Sequence, residues 1–205
     1  MNIIHFLCFL LFSYPSWCWA QRDSSICFLE VDFEYGSRPK RACKNSESHY
    51  FGGLHGGHVS VIFRGKSYGF MPTSSPVHLF PKKKRAALFT FQYEKTEERE
   101  QTVGIKTLTV QIPLSVSQAR QLDSIVERYT DSVPYDYAFF GMRCASSTRE
   151  ILGELGIMKQ RKNGSYVLGN FYPKRLRKRV IRLAKKRNYP MTSTEGRPCR
   201  KWERD

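Results

Sequence analysis

The order of the secondary-structure patterns is what most constrains this chain, because strand-like runs come first and helix-like runs come last. Short segments rich in β-branched and aromatic residues, typical of strands, fill much of the first half. In the second half, apolar residues recur at helical spacing. Neither an internal repeat nor an inter-domain linker interrupts this order, so the sequence predicts one compact α+β domain. The predicted strands are 26–35, 59–63, 67–70, 87–93 and 108–112, and the predicted helices begin after Ser115 or Ser117, at Cys144 and at Lys174.

The first twenty residues differ from the rest of the chain. They carry no Lys, Arg, Asp or Glu, and an apolar run over 3–12 is followed by turn-forming residues and by a small residue at Ala20. This pattern predicts a secretory signal peptide over 1–20. The alternatives are a buried N-terminal element or a membrane anchor, for which the run is about half the ~20 residues needed. We therefore expect an exported protein (bacterial periplasm, outer envelope or secreted), with a folded domain over 21–188 and a polar C-terminal tail over 189–205.

Basic residues outnumber acidic ones by 34 to 18, which gives a formal net charge of +16 and favours anionic partners. They concentrate in a loop over 82–85 and in the predicted helix 174–187. Such a helix can lie on an anionic membrane surface, but a solvated face over the core is the alternative. Nucleic acid is disfavoured, because the aromatic residues do not interleave with the basic ones. The residues assigned to anionic-surface binding are Lys82, Lys83, Lys84, Arg85, Arg177, Lys178 and Arg182.

Four cysteines follow the predicted signal peptide, and export would bring them into an oxidising compartment. Cys27 and Cys43 flank a turn-rich segment and are the candidates for a disulfide, whereas Cys199 lies in the polar tail. Cys144 opens a predicted helix, where free amides and the positive end of the helix dipole lower a thiol pKa and can bind an oxyanion. Arg143 adds positive charge there. Cys144 is therefore a candidate nucleophile, the alternative being a buried or disulfide-bonded cysteine.

A cysteine nucleophile needs an imidazole that accepts and returns its proton. His58 begins the strand-like run 59–63, directly after the glycine-rich stretch 52–57. A strand is a rigid support for a base, whereas His55 lies within the glycine-rich loop. His58 is therefore the preferred partner for Cys144, the alternative being an ordinary surface histidine.

The motifs of several other kinds of site are missing from the sequence. There is no His-Glu-x-x-His and no paired Cys-x-x-Cys, which are typical of metal sites. The phosphate-binding loop and the nucleophile elbow of serine hydrolases are also missing. The sequence therefore predicts neither a metal nor another cofactor.

Two segments resemble circularly permuted papain-like thiol enzymes. Residues 57–61 (GHVSV) followed by 68–70 (YGF) resemble their histidine segment. Residues 135–155 resemble the cysteine segment of the bacterial lipoprotein N-acyltransferase-like periplasmic family, which has a tyrosine-rich lead and then Asn-Cys-Thr-Thr. Arg143 and Ala145 depart from that last motif. The resemblance implies a papain-like domain with an antiparallel sheet packed against helices, in which the histidine strand precedes the cysteine helix.

The same resemblance implies a hydrolase or an acyltransferase that acts on an amide or ester through an acyl-thioester. Cys144 attacks the carbonyl, and His58 serves as general base and then as general acid. His78 is preferred over Ser67 as the group that orients His58, since a neutral imidazole can accept its hydrogen bond. Enzymes of this clan act on peptidoglycan amides, acyl lipids and lipoproteins, which are therefore the expected substrates. Substrate or oxyanion contacts are assigned to Tyr68, Tyr135, Tyr137, Arg143 and Ala145.

Two other functions fit the same sequence. One is a non-catalytic cationic protein that binds an anionic envelope lipid or polymer on the same fold. The other is a secreted antibacterial toxin that cuts cell-wall amides with the same thiol chemistry.

Overall fold

The computed structural model describes residues 27–45, 57–73, 77–83, 87–93, 104–160 and 172–205. Within these ranges the chain forms a six-stranded antiparallel sheet, a two-stranded ribbon, three α-helices and a short 3₁₀ turn, Arg41–Cys43. The predicted α+β class is confirmed. The strands are β1 Cys27–Glu34, β2 Ser37–Pro39, β3 His58–Phe63, β4 Lys66–Pro72, β5 Ala87–Tyr93, β6 Thr107–Leu114, β7 Met191–Thr194 and β8 Arg200–Trp202. The helices are α1 Val116–Asp131, α2 Cys144–Glu154 and α3 Pro173–Arg187.

The large sheet has the strand order β5-β4-β3-β1-β6-β7, and β1 lies inside it. Along β1 the register with β3 runs from Leu29 opposite Phe63 to Glu34 opposite His58. β3 and β4 form a hairpin whose two-residue turn, Arg64 and Gly65, has positive φ at both positions. Such a turn matches the right-handed twist of paired strands, which fixes the register of the hairpin.

The two faces of the large sheet differ in polarity because side chains alternate along each strand. On β1 from Leu29 onward and on β3, every second position is buried and apolar, whereas the positions between them are half-buried and mostly polar, among them Glu34 and His58. The apolar face packs against the helices and forms the core. The buried residues of this core include Val31, Phe33, Val59, Val61, Val110, Leu122, Ile125, Ile151, Leu152, Leu176 and Val180.

Helix α1 begins at a capping box and holds the end of α2. The Ser115 hydroxyl accepts the Gln118 amide at 3.2 Å, as predicted for this cap, and the Ser115 amide donates to the Gln118 side chain at 3.0 Å. The Gln118 side chain also donates to the Leu155 carbonyl at 2.8 Å, and Arg128 pairs with Glu154 at 2.8 Å. α2 is thereby fixed at its C-terminal end, while its body packs on β3 and β4.

The segment predicted to be a polar tail is part of the fold. β7 pairs with β6 at the edge of the large sheet, and β8 pairs with β2. This ribbon brings Cys199 to Cys43, and the two form a disulfide, while Cys27 is a free thiol in β1. The predicted pairing of Cys27 with Cys43 is therefore wrong, because β2 leaves the large sheet to pair with β8.

Arg177, predicted to bind an anionic surface, is instead fully buried in α3. Its guanidinium lies 3.7 Å from the centroid of the Tyr35 ring and donates to Asp205 at 2.6 Å and to Glu203 at 3.1 Å. The Tyr35 hydroxyl also donates to Asp205, at 2.7 Å. A buried charge needs such partners, so this side chain is committed within the protein and the prediction is wrong. Lys178 is half-buried and Arg182 is exposed. The role of both residues in binding an anionic surface stays a prediction.

Among the described residues, no helix combines the length and the apolar character that crossing a bilayer requires. Several predictions concern residues outside the described ranges, namely the signal peptide over 1–20, the rival base His55, and the basic residues Lys84 and Arg85.

The disulfide gives a prediction about stability. Replacing Cys43 and Cys199 together by Ser should lower the free energy of unfolding by about 2–5 kcal/mol, because the bond closes a long loop in the unfolded chain. Urea unfolding under oxidising conditions, followed by circular dichroism, measures this change. Cys27→Ser is the matched control and should move the transition by less than about 1 kcal/mol. Equal transition midpoints for the double variant and the control would contradict the prediction.

Candidate active site

Cys144 is buried at the first position of α2, and local hydrogen bonds fix the start of that helix. The Arg143 amide donates to the Ser146 hydroxyl at 2.6 Å, and that hydroxyl donates to the Arg143 carbonyl at 2.9 Å. One residue further on, the Ser147 hydroxyl accepts the Tyr135 hydroxyl at 3.0 Å. The position of the sulfur is therefore set by a well-anchored helix end, as the sequence predicted for a helix that starts at Cys144.

The sulfur meets the sheet where β3 and β4 separate. Their register ends at Val61 opposite Tyr68, and beyond that point β4 continues alongside β5 as far as Pro72. Two residues from the end of the register, the Val59 amide hydrogen-bonds the Cys144 sulfur. The separation of the two strands thus leaves a backbone donor for the thiolate.

His58 reaches the same place from the start of β3, and its imidazole is hydrogen-bonded to the Cys144 side chain. Gly69 of β4 makes room for the ring, because a Cβ atom at Gly69 would lie 3.0 Å from His58 Nε2. Gly57 has a φ of +57°, and a Cβ atom there would lie 1.7 Å from the Glu34 carbonyl oxygen. These two close approaches explain why glycines accompany the histidine. The structure therefore brings together the two residues that the sequence analysis paired.

The electrostatics of the pair favour its charged form. Burial raises the pKa of the Cys144 thiol, but the hydrogen bond and charge of His58, the Val59 amide and Arg143 outweigh burial and bring that pKa below its ordinary value. Burial lowers the pKa of His58, but the hydrogen bond and charge of Cys144, with nearby carboxylates, raise it above its ordinary value. Both shifts stabilise a thiolate beside an imidazolium.

The carboxylates that act on His58 come from β1, and the sequence analysis did not assign them to the site. Glu34 lies directly opposite His58 in the register, and its charge and that of Asp32 raise the pKa of the imidazole. Burial raises the pKa of Glu34, the His58 charge lowers it and Asp32 raises it, with a net increase. Asp32 itself accepts the Thr109 hydroxyl at 2.6 Å. The sequence does show acidic residues at alternate positions along β1. That pattern identifies Glu34 as a neighbour of His58 only when the register between β1 and β3 is known.

His78 was predicted to orient His58, but the structure pairs it with a different group. Its Nδ1 lies 2.9 Å from Asp136 Oδ2, and the same carboxylate oxygen accepts the Lys82 amide at 2.8 Å. This pairing fastens the segment 77–83 to the segment that leads into α2. The orienting role of His78 therefore stays a prediction, and the group that lies opposite His58 in the strand register is Glu34.

Tyr137 lies beside Cys144, and its hydroxyl is a hydrogen-bonding partner of the Cys144 and Arg143 side chains. Burial and the charge of Cys144 raise the pKa of Tyr137 to about 12, against the opposing effect of Arg143. The phenol therefore stays protonated at neutral pH and can donate a hydrogen bond. Ala145 is buried in the first turn of α2, where helix amides face the same region.

The other two predicted substrate contacts, Tyr68 and Tyr135, make packing contacts within the core. Tyr68 is buried and stacks on Phe89 of β5, with ring centroids 6.2 Å apart. The Tyr135 hydroxyl is used by Ser147, and its ring meets Phe70 edge-on at 5.1 Å. The Tyr135 contacts join α2 to β4, and the substrate role assigned to Tyr68 and Tyr135 stays a prediction.

Within the described ranges, no three His, Cys, Asp or Glu side chains lie close enough together to hold a metal ion. Comparisons of the chain with protein-family models, with curated proteins and with solved structures found no match.

Replacing Glu34 by Gln should lower the pKa of His58, because the change removes a negative charge that stabilises the imidazolium and keeps the size of the side chain. An NMR titration of the His58 ring measures this pKa. Glu30→Gln is the matched control, since Glu30 lies on the same strand and face but accepts the Gln111 side chain at 3.0 Å. The prediction is contradicted if the His58 pKa is unchanged in Glu34→Gln, or if it falls by the same amount in Glu34→Gln and Glu30→Gln.

Proposed function

We propose that this protein is a cysteine-dependent enzyme that cleaves an amide or ester through an acyl-thioester on Cys144. The observation that carries the proposal is the hydrogen-bonded pair of Cys144 and His58, whose pKa shifts both favour the thiolate and the imidazolium. The thiolate is the nucleophilic form of cysteine, and burial alone would remove it. A purely structural cysteine gains nothing from this arrangement.

In the first half-reaction, the thiolate sulfur attacks the substrate carbonyl carbon. The C–S bond forms as the carbonyl π electrons move onto oxygen. The Tyr137 hydroxyl and the first amides of α2 supply hydrogen bonds to that oxyanion. The His58 imidazolium then gives its proton to the leaving nitrogen or oxygen as the C–N or C–O bond breaks, which leaves the acyl-thioester and a neutral imidazole.

In the second half-reaction, the neutral His58 accepts a proton from the incoming nucleophile. That nucleophile attacks the thioester carbonyl, and the C–S bond breaks to regenerate the thiolate. Water as nucleophile gives a hydrolase, and an amine gives an acyltransferase. Glu34 and Asp32 stabilise the imidazolium in both halves. By the resemblance noted above, the substrates are lipoproteins, acyl lipids or cell-wall peptides, and the protein acts after export.

The site favours an enzyme over a protein that only binds anionic polymers. Arg177 is not available for binding of that kind, because it is buried and paired with Glu203 and Asp205, although Arg175, Arg182 and residues 185–187 of the same helix are exposed. The reactive pair, in contrast, is assembled from two distant segments of the chain with a backbone donor and a phenol directed at the sulfur.

Cysteine labelling tests the proposal directly. An iodoacetamide probe at about pH 6 should modify Cys144 faster than Cys27, because the lowered pKa keeps the Cys144 thiolate populated where an ordinary thiol is protonated. Cys27, the other free cysteine of the described ranges, is the internal control. His58→Ala should slow labelling of Cys144 about tenfold or more and leave that of Cys27 unchanged. Equal, slow labelling of both thiols, read by peptide mass spectrometry, would overturn the proposal.

Turnover of an activated acyl ester tests the role of Tyr137. Tyr137→Phe should lower kcat about 10²-fold with little change in KM, because the oxyanion exists only after attack. Tyr172→Phe is the matched control, since its ring lies 5.9 Å from the Arg143 guanidinium and so belongs to the same neighbourhood. Cys144→Ala sets the background rate. Equal losses of kcat in the two tyrosine variants would show that the hydroxyl of Tyr137 has no special role.

A further inference from the structure

Four apolar side chains are exposed together at one edge of the candidate active site. Leu79, Phe80, Phe139 and Phe140 are 56%, 62%, 40% and 51% exposed, and we name them the phenylalanine patch. Phe80 stacks on Phe140 with ring centroids 5.4 Å apart, and Phe139 meets Phe140 edge-on at 4.9 Å. The side chains therefore form one continuous apolar surface.

The backbone beneath the phenylalanine patch is held by several hydrogen bonds. The Phe139 amide donates to the His78 carbonyl at 2.7 Å, and the Phe140 amide donates to the Leu79 carbonyl at 2.8 Å. The buried Asp136 side chain fastens the same two segments by accepting the Lys82 amide and pairing with His78. The exposure of the phenylalanines is thus a property of a fixed surface.

The phenylalanine patch adjoins the reacting sulfur through Arg143. The Arg143 guanidinium lies 5.3 Å from the centroid of the Phe139 ring, and it also contacts the Tyr137 hydroxyl. Arg143 directly precedes Cys144 in the chain. The phenylalanine patch therefore adjoins Arg143 and Tyr137, the residues next to the Cys144 sulfur.

The rim of the phenylalanine patch is basic. Lys82 and Lys83 are exposed and follow Phe80 after a single proline. The Lys82 backbone is fixed by Asp136, which keeps this charge at the rim. An apolar centre with lysines at its edge matches a lipid interface, where rings enter the acyl boundary and amines meet anionic headgroups.

The size and charge of the surface decide between possible occupants. Taking about 200 Å² for each side chain, the phenylalanine patch leaves about 400 Å² of apolar surface in water. A stable protein–protein interface buries about 800 Å² on each partner, so a second copy of this chain would gain too little contact. Two copies would also bring like charges together, since each carries +16. An anionic bilayer attracts the positive charge of the protein, and an apolar surface of this size is enough for its side chains to enter the acyl boundary.

We propose that the phenylalanine patch docks the protein on an anionic phospholipid bilayer and holds the entrance of the Cys144 site against the headgroups. This interaction is separate from the proposed catalysis, because none of the four patch side chains touches the reacting sulfur or imidazole in the proposed mechanism. Membrane binding and thiol reactivity can therefore be measured independently.

Sedimentation with vesicles of phosphatidylglycerol and phosphatidylcholine in equal parts tests the docking. The double variant Phe80→Ser with Phe140→Ser should lower the partition coefficient at least about tenfold. Phe28→Ser is the matched control, because Phe28 is 38% exposed on β1, away from the phenylalanine patch. Every variant keeps the apolar N-terminal segment, so differences between variants report on the patch.

Replacing Lys82 and Lys83 by Gln should weaken binding at low salt and have little effect at high salt.

The serine double variant could lose binding because it fails to fold. A second variant, Phe80→Trp, therefore tests directly whether this side chain enters the bilayer. Phe80→Trp should bind at least as well as the unaltered chain and show a blue-shifted emission with the anionic vesicles, measured as a difference from that chain. Cys144→Ala should bind normally, and the serine double variant should keep its Cys144 labelling rate, which separates this proposal from the enzymatic one. Equal partitioning of the double variant and the Phe28→Ser control, an unshifted tryptophan, or patch-dependent self-association in place of vesicle binding would overturn the proposal.

Discussion

The chemistry argued for this protein depends on the hydrogen bond between the Cys144 sulfur and the His58 imidazole. Burial acts against the charge on both groups, so each alone would be neutral in this environment. Together, and with the β1 carboxylates behind the ring, they hold a thiolate beside an imidazolium. The rest of the fold keeps a helix start and a strand start at hydrogen-bonding distance although the residues are far apart in sequence.

Two sets of contacts maintain that distance. α2 is held at its start by the bonds of Ser146 and Ser147 and at its end by Gln118 of α1. β3, which carries His58, is held by its pairing with β1, and the other edge of β1 pairs with β6. Because the helix and the strand both belong to one packed core, the sulfur and the ring are held in a common frame. In the proposed chemistry, a pair fixed in this way needs little reorganisation when charge moves between its members.

The sequence was sufficient for the α+β class, the helix that starts at Cys144 and the strand that starts at His58, because each has a local signal. It failed where the answer lies in pairing between distant segments. Glu34 lies opposite His58 only through the β1–β3 register, so the preference went to His78, whose neutral imidazole could accept a hydrogen bond from His58. The disulfide depended on the β2–β8 ribbon, which no local pattern announces. Arg177 was placed at the surface by its basic neighbours, although it shares a helix face with Leu176, Val180 and Ala184.

The cluster around Arg177 also bears on how the chain is made. Its guanidinium is enclosed by Tyr35, which directly follows β1, and by Glu203 and Asp205, which are synthesised after α3. Enclosing that cation before its counter-ions arrive would leave a desolvated, uncompensated charge. A chain that lacks residues 203–205 therefore gains less from docking α3 on the sheet, because docking would bury the Arg177 charge without its carboxylate partners.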